Sequence, residues 1–129
     1  MIINGREYVF KMHGKTYHCA MDVTMDYIGG KWKTVVLWYL RNKTLRFNEL
    51  KKQIPEITEK MLSLQLKALE EDGLVKREVF PEVPLRVEYS LTEFGRSLNP
   101  VIEAIAKWGR ALGEASGKME EIKKPAAKK

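Results

Sequence analysis

The sequence predicts a mainly α chain with one small β-hairpin, an α+β fold class. Apolar residues recur at helical spacing along most of the chain, most cleanly at Leu62, Leu66 and Leu69. Val87, Tyr89 and Leu91 alternate instead with Arg86, Glu88 and Ser90, the period of a half-buried strand. Pro81 and Pro84 cannot donate to a strand ladder, so the residues around them form the loop between two strands, 74–80 and 86–91.

The elements follow in order. Residues 8–19 alternate loosely around Gly14 and suggest an N-terminal hairpin or arm. Residues 20–28 form a first helix with Met21, Met25 and Ile28 on one face, ended by Gly29-Gly30. Residues 31–41 form a second helix, apolar on two sides through Trp32, Val35, Val36, Trp38, Tyr39 and Leu40, and so central to a small core. Leu45-Arg46-Phe47 is too short for an independent strand but can add an edge to a hairpin elsewhere. Residues 48–54 make a short helix with Leu50 inward, ended by Pro55. Thr58 is suited to cap the next helix, and Asp72-Gly73 closes it. Thr92 opens a last helical region with Leu98, Val101, Ile102, Ile105, Trp108 and Leu112 as its stripe. There Pro100 is either a kink or the first residue of a helix capped by Asn99.

Composition bounds the rest. The 129 residues, 44% hydrophobic and 31% charged, suit one soluble domain. No apolar run is long enough for a membrane span, and the start lacks the basic and apolar regions of a secretory signal. One cysteine, Cys19, leaves no internal disulfide and fits a reducing cytosol, so a cytoplasmic chain is expected. The net charge of +6 suits a polyanionic partner, although part of the excess lies in a tail with Lys123, Lys124, Lys128 and Lys129. The expected organisation is an arm at 1–18, a domain at 19–115 and a basic, disordered tail at 116–129.

Two helices at an angle followed by a hairpin are what a winged helix-turn-helix needs. A DNA-reading helix is buried on one side and carries short or flexible donors on the other. Lys60, Ser63 and Lys67 fall opposite Leu62, Leu66 and Leu69, with Thr58 and Glu59 at the amino end. Gln65 can pair with adenine, and serine or threonine with any base, whereas lysines equally meet phosphate. An ordinary amphipathic surface helix would show the same pattern. The hairpin adds Arg86 near its tip, with Lys76 and Arg77 in its first strand. Arg77 shares parity with Val75 and Val79 and is either a backbone contact or a partly covered structural residue. Lys43 and Arg46, before the shorter helix, are further phosphate candidates. Glu82 at the tip opposes phosphate; it either points away or limits nonspecific binding.

Several motifs in order sharpen this reading. Asp26-Tyr27-Ile28-Gly29-Gly30-Lys31-Trp32, Arg46-Phe47-Asn48-Glu49-Leu50, Leu69 to Val75, Val87 to Thr92 and Gly95-Arg96-Ser97-Leu98 resemble the HxlR-type branch of the MarR-like winged helix regulators. The resemblance covers roughly residues 19–112. It implies a dimeric transcription factor on palindromic double-stranded DNA, with the first and last helices as dimer contact. The surplus stripe of Val101, Ile105, Trp108 and Leu112 fits a helix packed on its symmetry mate; the N-terminal arm folding back over it is the alternative.

In relatives of that family a cysteine at the position of Cys19 can sense oxidants or electrophiles. Cys19 precedes the first helix, where amides stabilise a thiolate, but a small buried or half-buried hydrophobe is the plainer role. His13, His18 and Cys19 lack a known metal spacing, so no metal and no cofactor are expected. Gly29-Gly30-Lys31 lacks the spacing of a phosphate loop, and no serine elbow or paired-carboxylate signature stands out. An enzyme is not expected, and no small effector is identified. A winged-helix protein-interaction module is the rival reading, because fold does not fix function.

Overall fold

The computed structural model describes residues 1–122. Two short hairpins open the chain: β1 (Ile2–Ile3) with β2 (Arg6–Glu7), then β3 (Phe10–Met12) with β4 (Lys15–Tyr17). Each turns on two residues with positive φ, Asn4-Gly5 and His13-Gly14. Positive φ at both central positions is the geometry that matches strand twist in a two-residue turn. The sequence reading expects only one hairpin here. Asn4-Gly5 is a strong turn signal, but its flanking strands are too short to show an alternation.

The helical part comprises α1 (Ala20–Ile28), α2 (Lys33–Leu40), α3 (Phe47–Gln53), α4 (Glu59–Glu71), α5 (Glu93–Arg96) and α6 (Asn99–Ala115). Between α4 and α5 runs the wing, β5 (Val75–Phe80) antiparallel to β6 (Arg86–Leu91), in register from Val75↔Leu91 to Phe80↔Arg86. Leu45 bridges to Tyr89, with hydrogen bonds in both directions at 3.0 and 2.8 Å. The segment before α3 thus adds the expected edge to the wing. Helix α2 begins at Lys33 rather than Lys31, since Gly30 at φ +97° interrupts helical geometry.

Helix α2 is the hub of the core. Val36, Leu37 and Leu40 are buried together with Leu50 of α3, Leu62, Leu66 and Leu69 of α4, and Leu74, Val75 and Leu91 at the base of the wing. Ile54 and Ile57, in the turn between α3 and α4, are buried as well and fix the angle between those helices. Among the described residues no polar or charged residue is buried in this core. Burial of that many aliphatic side chains, at roughly 1.5–3 kcal/mol each, is the main force holding α4 in place.

Both ends of α4 are locked. Thr58 Oγ1 accepts the Met61 N–H at 3.0 Å, satisfying an orphan amide. At the other end Gly73, φ +77°, donates to Glu70 O at 3.0 Å while Leu74 N–H reaches Leu69 O at 2.9 Å. This paired arrangement consumes two orphan carbonyls and brings buried Leu74 over buried Leu69. Thr92 then ties the wing back to that corner: its hydroxyl donates to Gly73 O at 2.5 Å and accepts from Gly95 N–H at 3.0 Å. A Cβ at Gly95 would collide with the Leu74 carbonyl, so only glycine fits there.

Three sequence expectations change. Met21 and Met25 of α1 are exposed, because α1 lies on the outside and only Ile28 is buried, with Tyr27 packed beside it. Asn99 is not a cap: Ser97 and Leu98 already hold right-handed helical angles, so the chain passes from α5 to α6 without an extended residue. The Asn99 amide instead donates to Arg41 O at 3.4 Å. Strand β6 is partly covered on both faces rather than alternately, with only Leu91 buried. Helix α6 ends at Ala115, with Gly117 at φ +69° turning the chain just beyond it, and of the expected basic tail residues 123–129 lie outside the described residues.

Candidate nucleic-acid interface

Helix α4 turns Leu62, Leu66 and Leu69 inward and leaves Glu59, Lys60, Ser63, Leu64 and Lys67 exposed. The expected donors Lys60, Ser63 and Lys67 therefore share one solvent-facing surface. Thr58 is exposed at the amino end, but its hydroxyl oxygen is engaged in the cap. Gln65 lies at the flank, half-buried, with its amide nitrogen 3.2 Å from the Met61 sulfur. Leu64 went unrecognised in the sequence. It is 51% exposed between Ser63 and Lys67, and an exposed apolar side chain on such a face can meet a thymine methyl. A leucine within a leucine-rich helix gives no signal of its own until the buried stripe is fixed.

Lys43 and Arg46 are exposed on the segment leading into α3. Arg46 N–H is held by Glu49 Oε1 at 2.8 Å, which starts α3 firmly and leaves the guanidinium outside. In the wing Lys76 is exposed, 3.9 Å from Glu78. Arg77 is exposed too, since the face it shares with Val75 leaves the core as the wing extends; Val79 is already 44% exposed.

Arg86 sits at the base of the tip loop, not at its apex, paired with Phe80. Its guanidinium stacks 3.8 Å from the Phe80 ring centre. Nη1 donates to Glu88 Oε2 at 3.1 Å and Nη2 to Glu82 Oε1 at 3.3 Å. Nε lies 3.2 Å from Glu82 Oε2, yet buried and out of line for a hydrogen bond. Glu82 thus turns back onto Arg86. The apex itself is apolar, with Val83 and Leu85 exposed.

The N-terminal hairpins dock on α1 through Tyr17, whose phenol donates to Asp26. That bond, with burial and the carboxylate charge, pushes the Tyr17 phenol up to about 12. His13 is engaged with the Tyr27 hydroxyl at 2.9 Å. Cys19 is the residue before α1, partly exposed, with no side-chain cap bond. Among the described residues no group of three or more potential ligands is placed to hold a metal, and no helix is long and apolar enough to cross a membrane.

The stacked helices, the edge strand and the ribbon define a winged helix-turn-helix. The HxlR-like helix-turn-helix family model matches residues 27–116, and the chain belongs to that family. The HTH-type transcriptional regulator YdeP of Bacillus subtilis is 49% identical over 106 residues, covering 82% of this chain and 83% of YdeP. An HTH-type transcriptional regulator of Methanothermobacter thermautotrophicus is 50% identical over 97 residues, 75% of this chain and 74% of that protein. Among solved structures, the redox regulator HypR in its reduced form superposes with a TM-score of 0.71 at 44% identity, covering 78% of this chain and all of HypR's. The family is one of transcriptional regulators and not of enzymes.

Proposed function

We propose that this protein is a sequence-specific DNA-binding transcriptional regulator, a repressor or autoregulator, that grips a palindromic operator as a homodimer. The observation that carries the reading is the division of α4: three leucines sealed in the core and Lys60, Ser63, Leu64 and Lys67 projected on the opposite side. In this reading Ser63 and Leu64 face base edges, Gln65 joins them only by leaving the Met61 sulfur, and Lys60, Lys67, Lys43 and Arg46 meet phosphates. Lys76, Arg77 and Arg86 serve the wing. Residues 19–115 form the regulator domain, 1–18 its arm and 116–129 a basic tail.

The second copy is supported by α6. Val101, Ile105, Trp108 and Leu112 are 38%, 49%, 72% and 56% exposed in one chain. Beside them runs an apolar groove of about 220 Å³ between α2 and α6, lined by Val35, Trp38, Ile102 and Ile105. Met21 and Met25 on α1 are exposed apolar side chains as well. A patch of this kind on a small domain marks an interface.

Selection of bound fragments from genomic DNA, followed by fluorescence anisotropy, tests the proposal. Lys60→Ala with Lys67→Ala is expected to weaken binding about tenfold to a hundredfold and to flatten the salt dependence by about two log-log units, one per lost phosphate contact. Unchanged affinity and slope at matched salt would remove α4 from the interface and favour the protein-interaction module instead. Thiol control through Cys19 is a finer proposal, supported by its partial exposure before α1 and by the likeness to a redox regulator. If diamide alters operator affinity equally in wild type and Cys19→Ser, that part is wrong.

A further inference from the structure

Of the wing's cations, Arg86 is held in a state that DNA cannot use directly, whereas Lys76 and Arg77 are exposed. Arg86 is held on three sides: the Phe80 ring below, Glu88 at 3.1 Å and Glu82 at 3.2 Å. One guanidinium against two carboxylates leaves this cluster net negative. The other tip residues, Pro81, Val83, Pro84 and Leu85, bring no charge. Across the ladder Glu88 faces Glu78, a like-charge pair that is unfavourable unless each carboxylate finds its own cation. Glu78 has Lys76 at 3.9 Å, so Arg86 is the partner left to Glu88.

We propose that Glu82 and Glu88 form a latch on Arg86 that sets how strongly the wing grips DNA of any sequence. The inference rests on the DNA-reading assignment and adds a specificity determinant to it. The two carboxylates have different parts. Glu88 lies in the strand with its side chain 22% exposed, so it orients Arg86 over Phe80. Glu82 lies in the loop at 55% exposure and reaches Arg86 from outside. Exposed ion pairs are weak and screened, so a phosphate can displace Glu82 at small cost. Random DNA brought near the tip meets Glu82 first and gains nothing from Arg86 until that exchange occurs. A docked operator, fixed by α4, holds a phosphate beside the wing and drives the exchange.

The test is a double-mutant cycle in Glu82→Gln and Arg86→Met, read by anisotropy against a mixed-sequence duplex over a range of salt. Methionine keeps apolar cover on Phe80, and thermal melting checks that each variant is folded. Glu82→Gln is expected to raise nonspecific affinity roughly fivefold at low salt and to steepen the log-log slope by about 0.9, one additional neutralised phosphate. In the Arg86→Met background the same change is expected to leave the slope unaltered. A gain that persists without Arg86 would mean simple relief of negative charge and would overturn the latch. So would a Glu82→Gln protein with wild-type affinity and slope. If the wild-type protein binds neither this duplex nor selected genomic fragments, the DNA-reading assignment itself falls; failure of the latch alone leaves wild-type binding intact.

Discussion

Helices α4 and α6 bear the same kind of apolar stripe and end in opposite surroundings. On α4, Leu62, Leu66 and Leu69 retain 0%, 1% and 0% of their accessible surface. On α6 only Ile102 is buried. Length accounts for much of the difference at the carboxy-terminal end. The 17 residues of α6 make a rod of about 26 Å, whereas the eight residues of α2, on which it packs, span about 12 Å. The carboxy-terminal half of α6 outruns its neighbour and keeps Trp108 and Leu112 in solvent. Helix α4, by contrast, lies against α2 and the base of the wing, and the turn through Ile54 and Ile57 seals its start. A helical period announces that a face will be covered; the dimensions of the neighbours decide whether the same chain covers it.

The largest effect should come from the sealed stripe. Leu66→Ala removes a side chain from the centre of the core and leaves a cavity, at a cost of about 2–5 kcal/mol. Typical domains have only about 5–15 kcal/mol in hand, so this variant is expected to melt many degrees lower. Leu112→Ala, on the open stripe, should leave the melting of the isolated chain within about 0.5 kcal/mol of wild type. Equal destabilisation by the two, measured by denaturant titration at low protein concentration, would erase the distinction between the stripes.

Next in size is the effect on assembly. Ile105→Glu with Trp108→Glu places charge in the middle of the open stripe without touching the core, since both positions are exposed in one chain. The expected result is a folded monomer: sedimentation at half the mass of the wild-type particle, with an unchanged far-ultraviolet spectrum. Burying two unpaired carboxylates is too costly for an interface to tolerate. A wild-type mass for the variant would show that this face is not where copies meet.

What the sequence made legible follows the same division between contacts within a short window and contacts that need the folded neighbourhood. The leucine stripe, the Thr58 cap, the glycine stop at Gly73 and the Leu45 edge are local patterns, and each stands where its pattern places it. Lys60, Ser63 and Lys67 were recognisable as one outward surface because a helix fixes their spacing. Arg86 was harder. Its position near the hairpin tip suggested a DNA contact, but its surroundings are set by strand pairing with Phe80 and by the return of Glu82 across the loop. The exposure of Met21 and Met25 was equally hidden, since it depends on what does not pack against α1. The N-terminal Asn4-Gly5 turn was readable in principle and lacked only longer strands beside it.

The smallest expected effect separates the two helices by the way they begin. Helix α4 follows an extended residue, Thr58 at φ −78° and ψ 155°, whose hydroxyl accepts an amide that would otherwise be orphaned. Helix α6 follows Leu98, already helical at ψ −9°, with Pro100 in its first turn and no side-chain cap. The turn of α5 runs straight into it, as Leu98 N–H reaches Gly95 O at 3.1 Å. Thr58→Ala should therefore cost about 1 kcal/mol, the usual value for a lost cap. Asn99→Ala loses only a 3.4 Å contact to Arg41 O and should cost no more than about 0.5 kcal/mol. If, as proposed, the amino end that Thr58 sets is the one that approaches DNA, Thr58→Ala should fray that end and weaken operator binding, while Thr58→Ser preserves both stability and affinity. A serine variant as weak as the alanine one would show that the threonine methyl, and not the cap, positions the start of α4.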